Sequence, residues 1–261
     1  MDDPYAAIAP YYDLEFGAFD ADVAVYRGYA DYVGSPILEL GCGTGRLLVP
    51  LARAGLEVHG LDRSPAMLAR ARARLEAEGL GHVPLHQGDM TDLRDFPEGH
   101  FRLVFSAINS FLHLETREQQ LAALRAVRRI LHPDGILILD LFHPTPAVLH
   151  AMDDLLRVDG QWPLPEGGRV DRFSTRRLSP AEQRIETTLY YDRTAPDGTV
   201  TRSVATYTMR YIHRFEMEGL LATAGYTLEG LYGSYQLDPL EDDSPIMLFV
   251  ASRQPADARL L

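Results

Sequence analysis

The stretch Ile37-Leu38-Glu39-Leu40-Gly41-Cys42-Gly43-Thr44-Gly45-Arg46-Leu47 decides how the rest of the chain is read. Ile37 to Leu40 is a short, largely apolar run, as expected of a parallel strand buried on both faces. Three glycines at alternate positions follow, and then Leu47-Leu48-Val49-Pro50-Leu51-Ala52-Arg53, which has a helical composition. The order is strand, glycine-rich turn, helix. Glycine tolerates positive φ and leaves the main chain bare to a ligand. The helix behind it offers free N–H groups and the positive end of a dipole. Two ligand classes use such turns. A dinucleotide fingerprint needs G-x-G-x-x-G, but here the third glycine comes one position early, at Gly45, and Arg46 stands where the dinucleotide glycine belongs.

Downstream, apolar runs alternate with helical stretches, the pattern of an open parallel α/β sheet. Leu56 to Asp62 reads as the second strand, with Asp62 at its C-terminal end. A carboxylate there can accept hydrogen bonds from ribose hydroxyls. Ser64 and Pro65 are an N-cap and first-turn pair for the next helix, which carries Met67. Val83 to Gln87 is a third strand that runs into Gly88-Asp89-Met90. Phe101 to Phe111 reads as the fourth. In such sheets ligands sit beyond strand C-termini, near the point where strand order reverses. That puts the polar set Ser106, Asn109, Ser110 and His113 at the expected reaction centre. His113 is the best general-base candidate, because an imidazole titrates near neutrality. After a helix from Thr116 to Leu131, His132-Pro133-Asp134-Gly135 is a turn, and Ile136 to Leu141 a fifth strand. His143 follows that strand and is a second candidate for the acceptor pocket.

From about Pro144 to Tyr211 the period changes to two. Arg169–Leu178, Arg184–Arg193 and Val200–Tyr211 alternate, and Asp197-Gly198 is a hairpin turn. These segments read as an antiparallel insertion that caps the active site, with Tyr190, Tyr207, Arg210 and Tyr211 as pocket candidates. An arginine there can pair with a carboxylate or phosphate. A helix from Arg214 ends at Gly225, and strands at Thr227–Tyr232 and Pro245–Ala251 close the chain. The tail after Arg253 is expected to be disordered.

Composition narrows the partners. A net charge of −12 disfavours binding to nucleic acid phosphates. All 25 basic residues are arginine, so lysine Schiff-base chemistry is excluded. A single cysteine excludes an internal disulfide and a cysteine-based zinc site, and no metal-ligand cluster stands out. With no leader-like segment and no long apolar run, the expectation is a cytoplasmic protein without membrane contact, monomeric or homodimeric.

Glu39-Leu40-Gly41-Cys42-Gly43-Thr44-Gly45, followed by Asp62, by Gly88-Asp89-Met90 and by Leu131-x-Pro133-Asp134-Gly135, resembles the motif series of class I S-adenosylmethionine-dependent methyltransferases. The resemblance covers about residues 36–142, and more weakly 213–252. It implies a Rossmann-like, doubly wound α/β sheet of seven strands with the last antiparallel. It implies S-adenosylmethionine as cofactor, held by Glu39, Gly41, Gly43, Gly45, Arg46, Asp62, Met67, Asp89, Met90 and Ser106. Tyr5-Ala6-Ala7-Ile8-Ala9-Pro10-Tyr11-Tyr12-Asp13 resembles the lead-in that folds over the cofactor in small-molecule methyltransferases, which makes Tyr11 a candidate for orienting methyl group or substrate. The expected organisation is an N-terminal lid and helix (1–35), a core (36–143 and 213–254) and a cap (144–212). The expected function is in-line methyl transfer to a nitrogen or oxygen of a metabolite. Candidate catalytic groups are His113, Tyr11 and His143; candidate substrate contacts are Asn109, Tyr207 and Arg210. The rival readings are a cofactor-binding regulator without transfer activity and a nicotinamide oxidoreductase.

Overall fold

A computed structural model describes residue 3 and residues 5–254. The expected tail beyond Arg253 falls, from residue 255 on, outside the described residues. In chain order the elements are α1 (Ala9–Phe16), α2 (Val23–Val33), β1 (Ile37–Leu40), α3 (Leu48–Arg53), β2 (Val58–Asp62), α4 (Pro65–Ala77), β3 (Leu85–Gln87), β4 (Phe101–Ser106), α5 (Arg117–Ile130) and β5 (Leu131–Phe142). There follow α6 (Pro146–His150), β6 (Arg157–Pro163), β7 (Arg169–Ser179), β8 (Arg184–Thr194), β9 (Val200–Arg210), α7 (Arg214–Ala224), β10 (Tyr226–Tyr232) and β11 (Ile246–Arg253).

Seven strands form one sheet in the order β10-β11-β5-β4-β1-β2-β3. β11 runs antiparallel to both of its neighbours, and β1 pairs in parallel with β2 and β4. The strand order reverses at β1 and β4, so the crevice for a ligand opens beyond Leu40 and Ser106. Side chains alternate across the sheet. Leu38, Leu40 and Leu139 pack with α5 and α7 on one face, while Ile37, Phe105 and Ile138 pack with α2, α3 and α4 on the other. Both faces are covered, as the apolar runs of β1, β4 and β5 require. Two helix starts follow from their cap residues: Ser64 Oγ accepts from Met67 N at 3.1 Å, and Thr116 with Gln119 forms a capping box. This is the open α/β sheet that the alternating runs predict, with the seven strands and antiparallel last strand that the resemblance implies.

The segment between α6 and α7 forms a separate antiparallel sheet, β6-β7-β8-β9. Three of its strands are the alternating segments of the sequence. The fourth, β6, is not foreseen, because it is an edge strand exposed along most of its length and has no buried face to impose a period. Val170, Leu189, Tyr191 and Ala205 on the inner face of this sheet pack against Ile8, Ala9 and Met67. The N-terminal segment is thus held between the small sheet and α4. A second difference lies after β4, which stops at Ser106. Ile108 and Asn109 then take left-handed φ values of 42° and 65°, and Ser110–His113 makes one 3-10 turn. No helix among the described residues is long and apolar enough to cross a membrane.

Candidate active site

The glycine turn sits at the C-terminal end of β1, and its shape is fixed by neighbours. Gly41 has φ 73°, and a Cβ there would lie 2.7 Å from Cβ of Ser110. Asp62, at the end of β2, holds the turn. Its Oδ2 accepts from Gly43 N and its Oδ1 from Ser64 N, both at 2.8 Å. Asp13 on α1 ties the N-terminal segment to the same turn, accepting from Thr44 Oγ1 at 2.6 Å and from Arg70 and Arg74 on α4.

Beyond the turn lies a cavity of about 200 Å³. Gly41, Gly43, Asp62, Met67, Asp89 and Met90 line it, with Asn109 and His113 from the turn after β4 and Tyr207 from β9. A smaller cavity of about 20 Å³ adjoins it, lined by Glu39 and Arg46 among others. Tyr12, Gly41, Ile108 and Ser110 line both cavities.

Five expected site residues lie elsewhere. Gly45 lines neither cavity; a Cβ there would meet Cβ of Ala71 at 3.3 Å, so it is bare to let the turn approach α4. Ser106, the last residue of β4, is fully buried and lines neither cavity; the chain first reaches them at Ala107 and Ile108. Tyr11 stacks on Tyr191 with ring centroids 4.6 Å apart, its hydroxyl 3.3 Å from Ser203 Oγ. Its neighbour Tyr12, a helical step of about 100° onward, faces the cavity instead. His143 emerges beside β11, with Nδ1 3.1 Å from Ser244 O, because β5 stays paired as far as Phe142. Arg210 is on the opposite face of β9 from Tyr207 and Met209. It donates to Gln120, Gln183 and Glu216 at 2.9, 2.8 and 2.6 Å and ties the small sheet to α5 and α7. Of the other cap candidates, Tyr190 lies under the Arg202 guanidinium and Tyr211 is buried against His213; neither lines the cavity.

The site is electrostatically uneven. Glu39 is 4% exposed, and its Oε2 has no hydrogen-bond partner. Burial holds its carboxyl well above the usual range, against the pull of Arg46. Arg46 itself donates to both carboxylate oxygens of Asp22 and to Phe19 O. Burial also pushes Asp62 up, against its two backbone hydrogen bonds. The His113 imidazole is pushed down to about 4 by burial, with the Arg63 charge adding to the effect. It is therefore neutral at physiological pH, and Tyr5 Oη lies 2.7 Å from its Nε2.

The profile of a family described as "Methyltransferase domain" matches residues 37–135. Across 222 residues the chain is 30% identical to the cypemycin N-terminal methyltransferase of a Streptomyces species, covering 85% of this chain and 84% of that protein. The chain belongs to the class I S-adenosylmethionine-dependent methyltransferases. A dTDP-3-amino-3,4,6-trideoxy-alpha-D-glucopyranose N,N-dimethyltransferase of Streptomyces venezuelae is 28% identical over 84% of this chain and 86% of its own length. An S-adenosylmethionine-bound amino pentose methyltransferase of Micromonospora echinaspora superposes with a TM-score of 0.68 at 27% identity, over 95% of this chain and 96% of its own. The chain spans 41% and 47% of the length of two further curated relatives, from Bacillus subtilis and a Geobacillus species.

The residues present fit the cofactor of this methyltransferase family. The unpartnered Oε2 of Glu39 is an acceptor awaiting a donor such as the cofactor's amino group. Gly43 N and Ser64 N leave Asp62 further lone pairs for ribose hydroxyls. Several wall residues of the methyltransferase cavity are not found from sequence: Tyr5, Tyr12 and Glu15 from the N-terminal segment, Arg63, and Arg172, Leu189 and Tyr191 from the small sheet. Tyr12 carries a signal, as it adjoins Asp13 in the lead-in motif. Arg172 carries none, because strand parity alone does not say which face of β7 is inward.

Proposed function

We propose that the protein transfers the methyl group of S-adenosylmethionine to an amine nitrogen of a small-molecule metabolite. The observation that carries this reading is a cavity lined from both sheets: by Gly43, Asp62 and Asp89 at strand ends of the large sheet, and by Tyr191, Tyr207 and Met209 of the small sheet. When bound, S-adenosylmethionine supplies an electrophilic sulfonium methyl for in-line displacement. Glu39 and Arg46 would hold the methionyl end, Asp62 the ribose, and Asp89 with Met67 and Met90 the adenine. Of these, Asp89 Oδ1 is already engaged by Thr91 N and Oγ1, which leaves Oδ2 for a ligand.

The acceptor then lies among Tyr5, Asn109, His113 and Tyr207. An amine attacks through its neutral lone pair and needs no strong base before the bond forms. A His113 kept neutral by burial, with Tyr5 Oη against its Nε2, adds no positive charge beside the acceptor. The N-terminal segment and the small sheet exclude water and hold the reactants in line, and such positioning can contribute up to roughly 7–11 kcal/mol in favourable systems. Two relatives matched along most of their length support nitrogen as the target: one is named for N,N-dimethylation of a dTDP-amino sugar and the other for methylation of an N-terminus.

The test is calorimetry with S-adenosylmethionine, S-adenosylhomocysteine and NAD, followed by S-adenosylhomocysteine release assays on panels of amines and hydroxyl compounds. Binding of the first two ligands and turnover of amines is the expected result. Binding of NAD alone would overturn the cofactor. Turnover of hydroxyl compounds alone would overturn the nitrogen, and cofactor binding without turnover of any acceptor would favour a regulator.

A further inference from the structure

Asp140 is 2% exposed, near the C-terminal end of β5, and lines neither cavity. Its Oδ2 accepts from three elements: Ile108 N at 3.1 Å, Tyr26 Oη on α2 at 3.4 Å and Tyr235 Oη, between β10 and β11, at 2.8 Å. The main chain adds two more ties. Asn109 N donates to Asp140 O at 3.0 Å, and Phe142 N donates to Asn109 Oδ1 at 2.6 Å. The turn so held is a strained one. Asn109 at φ 65° is a residue that tolerates the left-handed region, but Ile108 at φ 42° is β-branched and resists it. Such a conformation persists only where the surroundings over-determine it. Ile108 and Ser110 also line both cavities, so the turn stands at their joint.

We propose that Asp140 is a positioning residue for the active site: it clips the left-handed Ile108–Asn109 turn in place and so sets the shape of the cavity where its two ends meet. The inference rests on the methyltransferase reading above. Asp140 acts only through the turn and touches neither cofactor nor acceptor. The groups facing it are Tyr26 from α2, Tyr235 from the β10–β11 connection, Asp22 ahead of α2 with its partner Arg46, and the amide of Ile108. β11 contributes only Leu248, paired opposite it. Burial pushes the carboxyl up to about 6; the Asp22 charge adds to this, while the bonds from Ile108, Tyr235 and Tyr26 pull the other way. Protonation removes the charge that strengthens the Ile108 bond, so the clip loosens as pH falls through that value.

The experiment is S-adenosylhomocysteine affinity by calorimetry from pH 5 to pH 8 for the wild type, Asp140→Asn and Tyr235→Phe, with thermal midpoints to report folding. Wild-type affinity should fall as pH drops through about 6. Asp140→Asn should lose that limb and bind about tenfold more weakly at pH 7.5, the loss of one charge-assisted hydrogen bond. Tyr235→Phe should keep the limb but move it to higher pH, since it removes a donor that favours the ionised form. If Asp140→Asn does not fold, the Tyr235→Phe shift decides alone. Wild-type affinity and an unmoved limb in both variants would overturn the role of Asp140 while leaving the methyltransferase reading intact. No binding by the wild type at any pH would remove that reading, and this inference with it.

Discussion

The hydroxyl of Tyr5 lies 2.7 Å from Nε2 of His113 and joins the N-terminal segment to the turn after β4. The two rings meet edge to face, and Tyr207 packs against both. Closure of the N-terminal segment therefore completes the surroundings of His113. Tyr5→Phe should lower kcat/KM for methyl transfer about tenfold, the scale of one buried hydrogen bond, while S-adenosylhomocysteine affinity stays close to wild type. Steady-state kinetics and calorimetry check this; an unchanged kcat/KM would separate the pair from acceptor binding.

His113 also makes stability depend on pH. Its folded-state pKa, about 4, lies below the ordinary value of 6.5. Its contribution is therefore fully present above the ordinary value and is lost as pH falls toward 4, where the unfolded chain takes up the proton first. Relative to wild type, His113→Gln should gain about 2 kcal/mol of stability between pH 7 and pH 4.5. Denaturant melts at the two pH values measure the gain, and a constant difference would contradict the buried, neutral imidazole.

Asp62 both holds the glycine turn and offers lone pairs to the cavity. Asp62→Ala should weaken S-adenosylhomocysteine binding by at least about tenfold, as expected for losing hydrogen bonds to a charged acceptor. Calorimetry at equal folded fraction provides the check. Unchanged affinity would remove the ribose assignment.

Arg210 should behave in the opposite way. Replacing it with Met removes the cation beside Glu216, which keeps only its bond from Gln183 Nε2, and removes the donor to Gln120 and Gln183. Arg210→Met should cost about 2–3 kcal/mol of unfolding free energy, somewhat less than a fully buried pair because Glu216 is partly exposed. It should leave cofactor affinity within about twofold, since no hydrogen bond to the cofactor is removed. Urea unfolding and calorimetry together separate the two effects. A loss of affinity with full stability would return Arg210 to the binding site.

The part of the cavity proposed for the cofactor was legible in the sequence because its lining residues are tied to chain order. Gly41 and Gly43, Asp62, and Asp89 with Met90 each stand at or just beyond the C-terminal end of a parallel strand, and consecutive strands deliver those ends to one edge of the sheet. The acceptor side was not legible in the same way. Tyr11 and Tyr12 differ by one helical step, and Tyr207 and Arg210 by the parity of one strand, yet of these only Tyr12 and Tyr207 reach the cavity. Tyr5, which the lead-in resemblance does not single out, contacts His113.

By itself, the sequence determined the sheet, its helices and the strand-end loops that line the cavity, because hydrophobic period, glycine spacing and helix caps are local properties. The tertiary structure alone decided which face of the small sheet turns inward, where β4 ends and which tyrosine enters the cavity. The end of β4 shows the physical reason. Nothing local favours a left-handed isoleucine at position 108; it is held there by the hydrogen bonds that Ile108 N and Asn109 N donate to Asp140 and by the fit of Ser110 against Gly41, partners that only folding brings together.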